Sequence, residues 1–202
     1  MKYLKFITMA MCCVAAMVFT SCNSDDDGPS ALSKQEFQQT FNMVKGSYEG
    51  KLYFYWPVVN DTTGQTKADS VAITWEVSRD SSLTIHNFPT KLLGNYVTDS
   101  VVKKAIQEQT PTDITCQVVY TQVTPPTFIL SPVTLQFSVT YGGASHEIAV
   151  PFWAGGYYSY GGYTAESRRC SFIITEAAVF IDGKNSQMLK KGVTFILDGY
   201  KK

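Results

Sequence analysis

The chain has 202 residues, 45% of them hydrophobic, and carries 17 basic and 17 acidic residues. This length suits a single domain with a substantial core. The balanced charge argues against the basic face that is typical of nucleic-acid-binding domains.

The N-terminus has the layout of a secretory signal. Lys2 and Lys5 precede an uncharged apolar run from Phe6 to Phe19. A membrane-spanning helix needs about 20 apolar residues, so this run is too short to be one. The sequence therefore predicts a signal peptide over residues 1–21, which is left out of the reasoning about fold.

The residues after the apolar run predict lipid attachment. The stretch Phe19-Thr20-Ser21-Cys22 resembles a lipobox, with Phe19 where the pattern prefers Leu, Val or Ile. This resemblance implies cleavage before Cys22 and acyl chains on that cysteine, which would anchor the protein in a membrane.

Residues 22–32 predict a solvated tether, because the run Asp25-Asp26-Asp27 and the following Gly, Pro and Ser resist packing. Ser followed by aspartates after the cysteine resembles the export signal of Bacteroidetes-type surface lipoproteins. The resemblance covers residues 1–30 and implies an outer-membrane, cell-surface location. A tether that faces the periplasm is the alternative.

Two cysteines remain after cleavage and lipidation, namely Cys116 and Cys170. An even pair in an exported protein permits one disulfide. Both residues lie on apolar faces of predicted strands, so burial as free thiols is an equal alternative.

Helical signals occur at two places in the body of the chain. Ser33 and Glu36 form a capping box before a short helix that is predicted to end by Gly46. Asp99 can cap a second, inserted helix that precedes Pro111. The predicted apolar positions of the two helices are Phe37, Phe41, Val44, Val101, Val102, Ala105 and Ile106.

Period-two alternation dominates the rest of the sequence, with the turn formers Asn60–Gly64 between the first two strands. Residues 133–141 and 144–152 predict a hairpin around Gly142-Gly143, with Val133 opposite Phe152 and Val139 opposite His146. The other predicted strands cover Tyr48–Trp56, Val71–Val77, Leu83–Phe88, Ile114–Tyr120, Arg169–Thr175, Ala178–Asp182 and Val193–Gly199.

About eight short alternating strands predict a mainly β domain over residues 33–202. Tyr48-Glu49-Gly50 after an N-terminal helix resembles the opening strand of lipocalin-like barrels. We therefore favour an antiparallel meander barrel over the alternative, a two-sheet β-sandwich. The inward positions are bulky, which predicts a filled interior. They are Leu52, Phe54, Trp75, Phe137, Phe172 and Phe195.

Motifs for catalysis and metal binding are missing from the sequence. The two histidines, His86 and His146, have no partner at metal-ligand spacing, and neither a nucleophile elbow nor a phosphate-binding loop is found. The sequence thus predicts a protein that is not an enzyme and needs no cofactor or metal.

The most unusual segment, Trp153–Tyr163, alternates glycines with aromatic residues. Exposed Tyr and Trp offer flat apolar faces with a polar edge, which suits protein and sugar binding. Alternatively, the tyrosines fold back over the barrel end. The candidate ligand-binding residues are Trp153, Tyr157, Tyr158, Tyr160, Tyr163 and His146.

Two functions follow as hypotheses from these patterns. The first is a non-catalytic surface module that binds a glycan or a protein through the aromatic segment. The second is a small barrel that holds an apolar ligand or has a structural role in the cell envelope.

Overall fold

The computed structural model describes residues 32–57, 66–79, 82–189 and 191–202. The predicted signal peptide, Cys22, the acidic tether up to residue 31 and the turn at residues 60–64 lie outside the described residues. The compact unit of the body extends from Ala31 to Lys202 and has its own hydrophobic core.

The described residues form two α-helices, one 3-10 helix and a set of antiparallel strands. The helices are α1 (Lys34–Val44), the 3-10 helix (Thr90–Gly94) and α2 (Ser100–Gln107). The strands are β1 (Gly46–Pro57), β2 (Thr66–Arg79), β3 (Ser82–Phe88), β4 (Thr112–Val123), β5 (Pro126–Pro132), β6 (Leu135–Tyr141), β7 (Ala144–Val150), β8 (Phe152–Trp153), β9 (Tyr160–Thr164), β10 (Arg169–Glu176), β11 (Phe180–Ile181), β12 (Lys184–Asn185) and β13 (Val193–Lys201).

Eight of the strands in the described part of the chain close a barrel in the order β1-β2-β3-β4-β5-β9-β10-β13. The pairing of β13 with both β10 and β1 completes the ring, and every pairing is antiparallel. The predicted meander barrel is therefore confirmed, with two excursions from the meander between β5 and β9 and between β10 and β13.

Bulky side chains fill the barrel interior. Leu52, Phe54, Trp75, Phe172 and Phe195 are all buried, as the alternation predicted. Aromatic rings meet edge to face across this core, with Trp75 and Phe172 centred 5.4 Å apart and Phe88 and Phe195 5.1 Å apart. The prediction that Phe137 lies in the barrel interior is wrong, because Phe137 lies on β6 and is only partly buried.

Helix α1 packs against β4 and β5. Ser33 caps it as predicted: the Glu36 amide donates to Ser33 Oγ, and the Ser33 amide donates to Glu36 Oε2 at 2.9 Å. Phe37 contacts the ring of Tyr120 edge to face at 5.3 Å, and the Tyr48 hydroxyl donates to the carbonyl of Val44. These contacts attach the helix to the barrel.

Helix α2 packs against the 3-10 helix and β6. Asp99 caps α2 by accepting from the amides of Val101 and Val102, both at 2.9 Å. The prediction that Val101 belongs to the apolar face is wrong, since its side chain is half exposed, whereas Val102, Ala105 and Ile106 are buried.

The hairpin at Gly142-Gly143 forms with the predicted register from Leu135↔Val150 to Tyr141↔Ala144. Both glycines have positive φ, as a two-residue hairpin turn requires. The predicted Val133↔Phe152 pair is wrong: the Val133 amide donates to Thr115 O, and Phe152 pairs with Glu176. The hairpin also lies outside the barrel, in a second sheet of order β12-β11-β7-β6.

The strand predicted at Ala178–Asp182 is reduced to β11, which joins the second sheet rather than the barrel. The turn at Asp182-Gly183 connects β11 to the short strand β12, which lies before the last strand. Strand β5 was not predicted, because its flanking prolines suppress the strand signal. Its amides nevertheless pair with β4 and β9.

Candidate functional site

The aromatic segment divides between the core and the surface. Tyr163 lies on β9 with its ring inside the barrel, edge to face with Tyr48 at 6.4 Å. The other four aromatic side chains are exposed, and Tyr157 is 92% exposed. We call these four residues, Trp153, Tyr157, Tyr158 and Tyr160, the aromatic platform.

Hydrogen bonds hold the backbone beneath the aromatic platform. The amides of Tyr158 and Ser159 both donate to Gly155 O, at 3.0 and 2.9 Å, which closes a tight turn. Gly155 has a φ of +100°, a conformation that favours glycine. The Leu130 amide donates to Ser159 O at 2.9 Å, so the turn is tied to barrel strand β5.

Strand β10 supports the platform from below. Trp153 pairs with Thr175 in the β8–β10 register, and Thr175 Oγ1 donates to Tyr158 O at 2.7 Å. The rings of Trp153 and Tyr158 lie 5.6 Å apart and are inclined by 33°. Both residues are attached to strand β10 through Thr175, and this shared attachment sets the orientation of the two rings.

A groove of about 600 Å³ runs along the outer barrel wall beside Tyr160. Its lining includes Thr127, Ile129, Gly156, Gly161, Gly162 and Ser171. A Cβ atom at Gly161 would approach Phe172 Cβ to 2.3 Å, so this position admits only glycine. The groove combines a shallow floor, an aromatic edge and hydroxyl groups, which can act as hydrogen-bond donors and acceptors.

His146 is not part of this site. It lies on β7 opposite Val139, as predicted, but in the second sheet rather than on a barrel strand. Its ring stacks on Tyr141 at 4.1 Å, and its Nδ1 is 2.8 Å from Asp182 Oδ2. The structure therefore places His146, the sixth candidate ligand-binding residue of the sequence, in the second sheet and not beside the aromatic segment.

His86 has the same kind of carboxylate partner. Its Nδ1 lies 3.1 Å from Asp113 Oδ2, and the Asn87 amide donates to the other oxygen of Asp113 at 2.8 Å. This arrangement lowers the pKa of Asp113, chiefly through the amide of Asn87. Among the described residues, no cluster of three or more His, Cys, Asp or Glu side chains could hold a metal ion.

The two cysteines of the body are free thiols, and both are buried inside the barrel. Burial raises the pKa of Cys116 to about 12 and that of Cys170 to about 12. Of the two alternatives left open by the sequence, the structure shows the buried thiols and not the disulfide. Such thiols pack as small hydrophobic groups.

No described helix combines the length and the apolar character that crossing a membrane requires.

Comparison with known proteins adds a family assignment. The chain matches the family described as "Domain of unknown function (DUF4840)" over residues 43–181, more than half of its length. The chain belongs to this family. The matched region of the DUF4840 domain contains β1 to β10 and the whole aromatic platform, and it ends at β11.

No curated protein matches the chain, and no solved structure matches it. The family description carries no activity, so any function of this DUF4840 domain has to be argued from its own surface.

The sequence identified the platform residues, but not the strand that orients them or the neighbouring groove. The groove lies between β5 and β10. Strand β10 forms a hairpin with β9, whereas β5 is far from β9 in the chain and becomes its neighbour only in the tertiary structure. The sequence shows that Ile129 and Ile173 each lie between apolar residues within a strand-like stretch. Such a pattern does not indicate which strands are adjacent, so it could not predict the groove.

Proposed function

We propose that this DUF4840 domain is a non-catalytic binding module that holds a glycan on the aromatic platform. The observation that carries the proposal is the exposure of Trp153, Tyr157, Tyr158 and Tyr160 beside a groove with hydroxyl groups. A sugar ring has an apolar face and a hydroxylated edge. The aromatic side chains can stack on the apolar face of the sugar. The hydroxyl groups of Thr127 and Ser171 and nearby backbone groups can form hydrogen bonds with its hydroxylated edge.

The attachment of the platform supports recognition by a preformed surface. The turn is tied to β5 through Leu130 and to β10 through Thr175. A ligand would then bind with little loss of conformational entropy in the protein. Exposed aromatic residues without such support would instead be expected to pack back onto the core.

The alternative of an apolar ligand inside the barrel has less support. Trp75, Phe172 and Phe195 fill the interior, and each is at most 2% exposed. An eight-stranded barrel is just wide enough to be filled by side chains of this size.

We also propose that acyl chains on Cys22 anchor the domain to the outer membrane and display it at the cell surface. The support is the lipobox-like stretch and the aspartate run that follows it. Labelling with a palmitate analogue should mark the natural chain and not the Cys22→Ser variant. Protease treatment of intact cells should then remove the domain, whereas protection until lysis would indicate a periplasmic orientation.

The binding proposal is tested with the body, residues 32–202, by affinity electrophoresis in gels that contain soluble polysaccharides. The panel comprises mixed-linkage β-glucan, galactomannan, xyloglucan and the anionic polygalacturonate. At least one polymer should retard the protein, and the double variant Tyr157→Ala/Tyr158→Ala should lose the retardation. The variant Tyr200→Ala, which removes an exposed tyrosine outside the platform, is the control.

Circular dichroism spectra should show the same fold for all three proteins, because the substituted side chains are exposed. If no polysaccharide retards the natural protein, the glycan proposal is wrong. A protein ligand for the same platform would then be sought, with the same variants as probes.

A further inference from the structure

A row of outward-facing apolar side chains crosses the barrel wall next to the aromatic platform. The strand registers align Tyr53 with Ile196, Ile196 with Ile173, and Ile173 with Tyr160. The row continues from Tyr160 to Ile129 and from Ile129 to Val119. We call these six residues, on β1, β13, β10, β9, β5 and β4, the apolar belt.

The belt faces solvent rather than the core. Five of its members alternate along their strands with buried residues, as Tyr53 does between Leu52 and Phe54, and the sixth, Tyr160, begins β9. Tyr53, Tyr160 and Val119 are exposed, and the three isoleucines between them are partly exposed. A continuous apolar row on the outside of a barrel does not contribute to its core, and such patches mark binding surfaces.

The belt is uncharged, and a polar row runs beside it. The neighbouring register positions are Lys51, Asp198, Ser171, Gly162 and Thr127. Arg169 binds Asp198 through two hydrogen bonds, at 2.7 and 3.0 Å, and thereby balances its charge. A ligand on the belt would meet apolar groups along its face, and along its edge hydroxyl groups, the paired Arg169 and Asp198, and the single lysine Lys51.

We propose that the belt extends the platform into an elongated site for a linear, neutral polysaccharide. This inference rests on the proposed function and names the class of its ligand. Tyr160 belongs to both surfaces, so the two are continuous. From Tyr160 to Tyr53 the site crosses three inter-strand spacings, about 14 Å in all, which is longer than a single sugar ring.

The chemistry favours this ligand over an anionic polymer or a protein. A polyanion would need several cationic groups along the belt, but the polar row offers the single lysine Lys51, and Arg169 is bound to Asp198. Protein-binding surfaces of this size have a central anchor surrounded by a polar rim. The belt is instead a narrow row with one hydroxylated border.

The test uses short and long oligosaccharides that are cut from whichever polymer retards the natural body in the gel. Their affinities for the body are compared by isothermal titration. A hexasaccharide should bind more tightly than a disaccharide. Tyr53→Ala should weaken hexasaccharide binding by about 2- to 10-fold, the range expected for the loss of one aromatic contact. It should leave disaccharide binding on the platform unchanged.

Tyr53→Phe keeps the ring and should bind the hexasaccharide as the natural protein does, whereas Tyr200→Ala controls for removal of a tyrosine elsewhere on the wall. Equal affinity for the two lengths, or an unchanged affinity of Tyr53→Ala, would overturn the extended site and leave the platform intact. If the protein bound polygalacturonate more tightly than the neutral polymers, the proposal of a neutral ligand would be wrong. If no glycan bound at all, the proposed function itself would be wrong.

Discussion

Gly199 lies against the indole ring of Trp75 in the barrel interior. A Cβ atom at Gly199 would come within 2.7 Å of Trp75 Cη2 and within 2.3 Å of the Glu49 carbonyl oxygen. Gly199 pairs with Gly50 across β13 and β1. Two glycines on facing strands therefore make the space in which the largest buried side chain packs against Tyr48.

Replacing Gly199 by alanine is expected to destabilise the domain. The backbone oxygen of Glu49 cannot move away without breaking the strand pairing, so the cost should reach the overpacking range of about 1–3 kcal/mol. Urea unfolding followed by tryptophan fluorescence measures it. Gly156→Ala is the matched control, because its Cβ would meet Ile129 Cδ1 at an ordinary 3.7 Å. Equal stability of the two variants would contradict this account of the packing.

Glu176 should make stability fall as the pH rises. Its side chain is fully buried, and neither carboxylate oxygen has a hydrogen-bond partner among the described residues. Burial raises the pKa of Glu176 well above its usual value. The folded state therefore binds the proton of Glu176 more tightly than the unfolded state does. The resulting stabilisation is complete at pH values below the unfolded pKa of about 4.3, and it is lost as the pH rises through the folded pKa.

Glu176→Gln should remove this dependence. The variant should match the natural protein near pH 4 and be more stable at neutral pH, because glutamine keeps the shape and has no ionisable proton. Each kcal/mol by which the free energy of unfolding of Glu176→Gln exceeds that of the natural protein would raise the Tm of the variant by about 2–4 °C for a domain of this size. Glu166→Gln, at an exposed position, serves as the comparison. Parallel curves of Tm against pH for the natural protein and Glu176→Gln would disprove the assignment.

Asp182 should act in the opposite direction. Its bond to His146 and the amide of Glu147 lower the pKa of Asp182. A lowered pKa stabilises the folded state above the unfolded value of about 3.9, and that stability is lost as the pH falls through the folded pKa. Asp182→Asn should therefore lower the Tm at neutral pH and flatten its decline in acid.

Asp113→Asn tests the equivalent arrangement at His86 and should behave in the same way. Glu147→Gln, an exposed neighbour of Asp182, should change neither the Tm at neutral pH nor its acid dependence. If Asp182→Asn kept the natural acid profile, the bond between His146 and Asp182 would have no role in stability.

The thiols of Cys116 and Cys170 should not react in the folded body. Thiolate is the reactive form, and burial both raises the pKa of each thiol and blocks access. Ellman's reagent should therefore label no thiol of residues 32–202 at neutral pH and two after unfolding in guanidinium chloride. Absence of both thiols after unfolding would indicate a disulfide, and rapid labelling of the folded protein would contradict the burial.

The sequence alone determined the local elements. Ser33 with Glu36 and Asp99 with the amides that follow it fix helix starts through contacts within three residues. Gly142-Gly143 fixes the register of its hairpin, because a two-residue turn leaves the strands no other alignment. Alternation assigned Leu52, Trp75 and Phe172 to the interior, since adjacent side chains of a strand point to opposite faces.

The tertiary structure decided which strands are neighbours. The best predicted hairpin, β6–β7, lies in the second sheet, whereas β5 and β9, with weak local signals, are barrel strands. The aromatic segment also divides by pairing: Tyr163 opposite Cys170 points inward, while Tyr160 opposite Ile173 points outward. Local sequence specifies the period of a strand, but barrel closure brings together residues far apart in the chain, and that closure created the groove and the apolar belt.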